Sequence, residues 1–164
     1  MTIEELLARE AIRYTIGRYI SAIDRSAYDE LTDVFTADGT MTFGGHASLV
    51  GHEQIISTMR RNAERRGALK PGSFQRHMLG NSIINVIDDH TARSVHYILA
   101  MTELGADHGG VYVDDFVKSG DRWLIAHRKA SMDWVRPDSR FSAFPGPTPP
   151  SKEALNIWLG SASS

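Results

Sequence analysis

The sequence predicts an α+β domain in which three helices precede a long, curved antiparallel sheet. Three observations carry this. Isoleucines recur at helical spacing from Ile12 to Ile23, β-branched residues dominate between Phe74 and Trp134, and five of the six prolines follow Arg136. The first pattern is a core-facing helical stripe and the second reads as strands. The third excludes a central strand and reads as an extended arm. With 164 residues, 41% of them hydrophobic, the chain can bury one core without disulfides or a structural metal.

Each element has its own signal. Thr2 followed by Glu5 is a capping box, and Glu4 and Glu5 place negative charge at the positive end of the first helix. Ile12, Ile16, Ile20 and Ile23 then face the core. A second, short helix is expected from Ala27 to Phe35, with Ser26 as N-cap and Asp29 and Glu30 in its first turn. Ala37-Asp38-Gly39 reads as a turn and Thr40 to Phe43 as a first strand. A third helix, His52 to Arg66, turns Ile55, Ile56 and Met59 inward, and its charged run Arg60 to Arg66 reads as a solvated face, with an anion site as the alternative.

Beyond Pro71-Gly72 the pattern changes to strands: Phe74 to Ile87, a turn at Asp88-Asp89-His90, then Thr91 to Leu104. Gly105 to Gly110 reads as a glycine-rich loop. Val111 to Lys118 and Arg122 to Trp134 form a hairpin around Ser119-Gly120-Asp121. The strand from Thr91 is apolar on both faces, with Val95, Tyr97, Leu99 and Met101 on one and Ile98 and Ala100 beside His96 on the other. Such a sheet needs two covers, the helices on one side and the tail or a second subunit on the other, so a homodimer or homotrimer is expected. The domain spans 1–135. The arm, 136–164, ends in a short helix around Lys152 to Leu159 anchored by Trp158 and Leu159, and Trp134, Phe141 and Phe144 either lid a pocket or pack the arm down.

Composition removes several function classes. There is no cysteine, hence no thiolate nucleophile and no Cys-based metal site. A net charge of -2 argues against nucleic-acid binding. No apolar run approaches the ~18 residues of a membrane span, and the acidic start Met1-Thr2-Ile3-Glu4-Glu5 is unlike a signal peptide. A cytoplasmic protein with no membrane partner is expected. No His-x-His, His-x-x-x-His, His-Glu-x-x-His, Gly-x-Gly-x-x-Gly, P-loop or Gly-x-Ser-x-Gly occurs, so neither metal nor cofactor is expected.

Two kinds of residue remain as candidate chemistry. Asp24 lies four residues beyond Ile20 and eight beyond Ile16, on the apolar stripe and at the negative end of the helix dipole. An ionised carboxylate there needs a cationic or hydrogen-bonding partner. If the helix stops a turn earlier, Asp24 caps the next helix instead; spacing leaves both readings open. A buried carboxylate of this kind commonly orients a histidine. Of seven histidines, His46, His52, His90 and His108 fall in loops or at element ends and read as solvated. His127 shares a face with Trp123 and Ile125 and reads as structural. His96 lies beside Ile98 and Ala100, and His77 opens a strand on a face that periodicity does not determine.

Three stretches then resemble the SnoaL-like branch of the nuclear transport factor 2-like (NTF2-like) superfamily. They are Arg18 to Asp24 followed by Leu31 to Gly39, His77-Met78-Leu79-Gly80-Asn81, and Asp114 to Lys118 with Gly120 to Arg128. The resemblance implies a cone of curved sheet around the N-terminal helices, with a deep apolar pocket. In the most similar catalytic members, dehydratases and dehydrochlorinases, an Asp ending the first helix pairs with a His opening a strand; these positions are Asp24 and His77 here. It implies a cofactor-independent lyase or isomerase acting on a hydrophobic cyclic small molecule, with His77 as general base and Asp24 orienting it. A polyketide-type cyclase using the same pair and a non-catalytic ligand-binding protein are the alternatives. The likeness also points to Tyr19 as a donor and Arg128 as a pocket cation, Arg128 alternatively pairing with Asp114 or Asp133. His96, Ile98, Ala100 and Tyr112 are expected on the pocket wall. Ala100 stands where some bile-acid-type dehydratases carry a further carboxylate, a departure from the steroid-dehydratase pattern.

Overall fold

The structure, a computed structural model, describes residues 1–44, 46–67 and 71–142. Helix α1 (Ile3–Asp24) starts as its sequence requires, with Thr2 Oγ1 accepting from the Glu5 amide at 3.1 Å. The Glu5 carboxylate pairs forward with Arg9 at 2.6 Å. Its buried face is Ile12, Thr15, Ile16, Tyr19 and Ala22, with Ile20 and Ile23 only partly covered. This spacing of 3, 4, 7 and 10 residues from Ile12 rotates the stripe so that Tyr19 faces the interior.

After Asp24 the chain turns through Ser26 at φ 57°, a left-handed conformation uncommon outside glycine. A 3-10 helix follows at Tyr28–Asp33, where an α-helix capped by Ser26 was expected. The left-handed Ser26 lies outside the extended backbone typical of an N-cap; Ala27 stands at the cap position without a side-chain bond, and Ser26 Oγ accepts from the Tyr28 hydroxyl at 3.3 Å. Strand β1 (Phe35–Phe43) absorbs the expected Ala37-Asp38-Gly39 turn as an irregularity within the strand. A short β2 (Leu49–Val50) leads into α2 (Gly51–Arg66), whose Ile55, Ile56 and Met59 are buried as expected.

The remaining strands are β3 (Gln75–Val86), β4 (Thr91–Thr102), β5 (Gly105–Ser119) and β6 (Arg122–Val135). The sheet runs β2-β1-β6-β5-β4-β3, antiparallel except for the parallel β1–β6 pair. It curves around α1 and α2, so the main core lies between its inner face and the helices. A smaller cluster of Val95 and Val111, with Tyr97 and Val113 against it, is separate from that core. No helix among the described residues is long and apolar enough to cross a membrane. The expected terminal helix at 152–159 and Phe144 lie outside the described residues.

Two departures from the expected sheet matter for the site. Gly105 to Gly110 is not a loop but the first part of β5. A methyl group on Gly110 would collide with the Ser131 carbonyl, and one on Gly109 would sit 2.6 Å from the Trp134 indole nitrogen. These glycines let β6 approach closely where the register slips between Gly109 and Gly110. The second departure is a bulge at Ala126: Phe116 pairs with Ile125, whereas Asp115 pairs with His127. One extra residue reverses the alternation beyond it. Buried positions on β6 therefore step from Trp123 and Ile125 to Arg128 and Ala130. His127, expected beside Trp123 and Ile125, instead meets Thr40 Oγ1 through Nδ1 at 2.5 Å.

Candidate active site

The concave side of the sheet and the two helices bound a cavity of about 840 Å³, its mouth included. Most of the wall is apolar, with Ile23, Phe43, Met59, Ile98 and Met132 among its residues; Tyr19, Tyr112, His77 and His108 bring polar atoms to it.

Asp24, the last residue of α1, reaches the opening of β3. Its Oδ1 lies 2.6 Å from His77 Nδ1 and its Oδ2 accepts from the His77 backbone amide at 2.9 Å. One carboxylate therefore holds both the ring and the strand that carries it. The side chains are 9% and 6% exposed respectively. With Nδ1 donating to the carboxylate, His77 keeps its lone pair on Nε2, and the ring lines the cavity. That disposition suits proton abstraction.

Of the other expected wall residues, Tyr19, Ile98 and Tyr112 line the cavity. Burial raises the pKa of both tyrosines, Tyr112 especially, so each stays a hydroxyl donor at neutral pH. Arg128 does not line it. The Ala126 bulge brings this side chain to the inner face, where it is fully buried and forms a two-point ion pair with Asp114 at 2.7 and 2.6 Å. The guanidinium carbon lies 4.0 Å from the Tyr19 ring centre and 4.3 Å from that of Tyr112. Burial opposes this charge, but Asp114 more than offsets it, and the net pKa shift is upward. Arg128 thus supports the two tyrosines from behind and is not a cation in the pocket.

His96 and Ala100 are also fully buried away from the cavity surface. His96 sits between Ser82 Oγ, 2.7 Å from Nδ1, and Ser94 Oγ, 2.6 Å from Nε2. Burial lowers its pKa to about 4. In the unfolded chain a histidine titrates near 6.5, so the folded protein keeps this stabilisation above about pH 6.5 and loses it as pH falls towards 4. By pH 4.5 this amounts to about 2–3 kcal/mol. Urea unfolding at pH 7 and 4.5 should show a clearly smaller acid loss in His96→Gln than in the parent; an equal loss in both would refute the assignment.

Two ionisable wall residues went unrecognised in the sequence. His108, expected in a solvated loop, is 5% exposed and lines the cavity. Counting back by twos along β5 from Tyr112 would have placed it there, but the glycines on either side obscured the strand. Arg66, expected on a solvated face, lines the cavity and lies 4.7 Å over the Phe141 ring. Phe141, in the first residues of the arm, is itself buried and part of the wall. Among the described residues, no group of three or more His, Asp or Glu side chains is placed to hold a metal ion.

A curved sheet closing over two helices around an interior cavity defines the NTF2-like class. Residues 4–129 match the SnoaL-like domain, and the chain belongs to that family. It is 28% identical over 135 residues to uncharacterized protein Rv2910c of Mycobacterium tuberculosis, which covers 78% of this chain and 87% of that protein. In shape it is similar to a candidate scytalone dehydratase from Novosphingobium aromaticivorans, with a TM-score of 0.75, 18% identity, and 92% and 99% of the two chains covered. It is likewise similar to LinA, with a TM-score of 0.71, 16% identity, and 90% and 98% covered.

Proposed function

We propose that this chain is a cofactor-independent lyase or isomerase acting on a hydrophobic cyclic small molecule. The observation that carries the reading is the Asp24 carboxylate bonded to both Nδ1 and the backbone amide of His77, with the imidazole on the wall of an apolar cavity. His77 Nε2 takes a proton from a ring carbon, and the C–H electron pair becomes the new double bond. In an elimination, the neighbouring bond breaks with its electrons passing to the leaving group; halide departs as such, and a hydroxyl takes the proton held by the His77 imidazolium and departs as water. In an isomerisation, the proton returns at another carbon. Asp24 stabilises the imidazolium formed, and the Tyr19 and Tyr112 hydroxyls supply hydrogen-bond donors for developing negative charge on oxygen. Family membership and the likeness in shape to a candidate dehydratase support this reading.

The test is turnover of a panel of cyclic alcohols, cyclic halides and polyketide-type ketones by the parent protein, Asp24→Asn and His77→Gln. Activity in the parent that both substitutions abolish supports the proposal, and full activity in both variants removes it. Ring closure in place of elimination would identify a cyclase using the same pair. Ligand-induced thermal shifts without turnover would identify a binding protein.

We further propose that the chain assembles as a homodimer or homotrimer through the apolar side chains left exposed along β3 and just after it, Met78, Leu79, Ile83 and Ile87. Size-exclusion chromatography with light scattering should give two or three times the 18.2 kDa chain mass. A single monomer peak would rule this out.

A further inference from the structure

The cavity wall carries a second carboxylate–imidazole pair. His108 Nδ1 lies 2.7 Å from Oδ2 of its neighbour Asp107. That carboxylate is 1% exposed and also accepts from Ser139 Oγ at 2.7 Å and Thr102 Oγ1 at 3.3 Å. Asp107 is thereby fixed as an acceptor, His108 Nδ1 as the donor, and the His108 lone pair is on Nε2. Across the sheet His77 pairs with Ala100, and Ala100 pairs with His108. The small side chain between them lets the two imidazoles lean together, with ring centres 5.6 Å apart at 71°.

The groups facing His108 are His77 from β3, Arg66 from α2, Asp107 on its own strand and Phe141 from the segment after β6. Burial lowers its pKa first; His77 and Arg66 act in the same direction and Asp107 opposes them. The ring is therefore neutral near pH 7. The Arg66 guanidinium stacks on Phe141, whose ring centre lies 4.8 Å from that of His108. A neutral imidazole acceptor and a cation thus flank one end of the cavity. An acidic hydroxyl complements both, since its proton suits the imidazole and its oxyanion suits the guanidinium.

We propose that Asp107, His108 and Arg66 form an ionisation subsite for an acidic hydroxyl, phenolic or enolic, on a cyclic ligand. This rests on reading the cavity as the small-molecule site and adds to it the class of substituent recognised. The ligand O–H bond breaks, its proton goes to His108 Nε2, and the bonding pair stays on oxygen. Asp107 stabilises the imidazolium and Arg66 the oxyanion. No other bond changes and nothing is oxidised or reduced.

The probe is 4-nitrophenol, whose neutral and ionised forms differ in colour, titrated against pH in excess protein. In the parent the bound dye should ionise at least roughly one pH unit below the free dye. His108→Gln and Arg66→Gln should each remove most of that shift, and Arg66→Lys should retain part of it. Arg66 sits at the end of a helix, so its variants test the subsite even if His108→Gln fails to fold. Asp24→Asn should keep the shift while abolishing turnover, which separates this proposal from the reaction assigned to His77. A parent that does not bind the dye, or binds it without a shift, overturns the subsite. So does a shift that survives both His108→Gln and Arg66→Gln, or one lost in Asp24→Asn but kept in His108→Gln.

Discussion

Replacing His77 with glutamine is expected to lower turnover of a responsive substrate by roughly 10²–10⁴-fold, the contribution of a positioned general base. Glutamine can occupy much of the same space but cannot accept a proton at neutral pH, so the loss should fall on kcat and leave KM within several-fold. Asp24→Asn should produce a loss of similar order for a different reason. An asparagine can still hydrogen-bond the ring and the His77 amide, now 2.6 and 2.9 Å from the carboxylate, but it no longer stabilises an imidazolium or enforces the Nδ1–H tautomer. Steady-state kinetics on both variants, with thermal unfolding to verify folding, is the measurement. A loss below about tenfold in His77→Gln would place the base elsewhere.

The largest stability effect is expected at Asp114. Replacing it with alanine leaves Arg128 fully buried without its carboxylate, and breaking a buried pair from one side costs about 3–5 kcal/mol. For a chain of this length that is a fall in Tm of about 6–20 °C. The pair Asp114→Leu with Arg128→Met should recover most of the loss, because replacing both charges with apolar groups of similar volume is often neutral or better. Retained stacking between Arg128 and the two tyrosines softens the single-variant loss without supplying the missing charge. Thermal and urea unfolding of the parent and both variants checks this; a loss under about 1 kcal/mol in Asp114→Ala would show that the pair is not buried as described.

The helices were legible because their signals are local. Thr2 caps α1, and Ile12 and Ile16 or Ile55 and Met59 mark the buried faces by spacing alone. The turn between β5 and β6 was legible for the same reason. What spacing hid was any event that changes the period. The bulge at Ala126 exchanges the faces of His127 and Arg128, and nothing in the composition of β6 announces it. Gly109 and Gly110 look like loop residues because their role, admitting the β6 backbone, is set by a neighbour distant in sequence. That error concealed His108. Bringing Asp24 and His77 together was suggested by the family resemblance, since no periodicity links residues on different elements. Arg66 was hidden by its company: five charged residues surround Asn62 and Ala63 in the run from Arg60, and most of them are solvent-facing.

The bulge in β6 also changes which kinds of sequence change the protein can absorb. Ala126 takes no part in the pairing of Phe116 with Ile125 or of Asp115 with His127, so its side chain is loosely specified. The bulge itself is not. Drawing Ala126 into the ladder in place of the bulge would set His127 opposite Asp114 and turn Arg128 outward, with no chemical alteration to any side chain of the cavity. For this strand the course of the backbone decides the interior as much as its residues do, and two homologues with the same residue at every named position but only one of them bulged here would not share an interior.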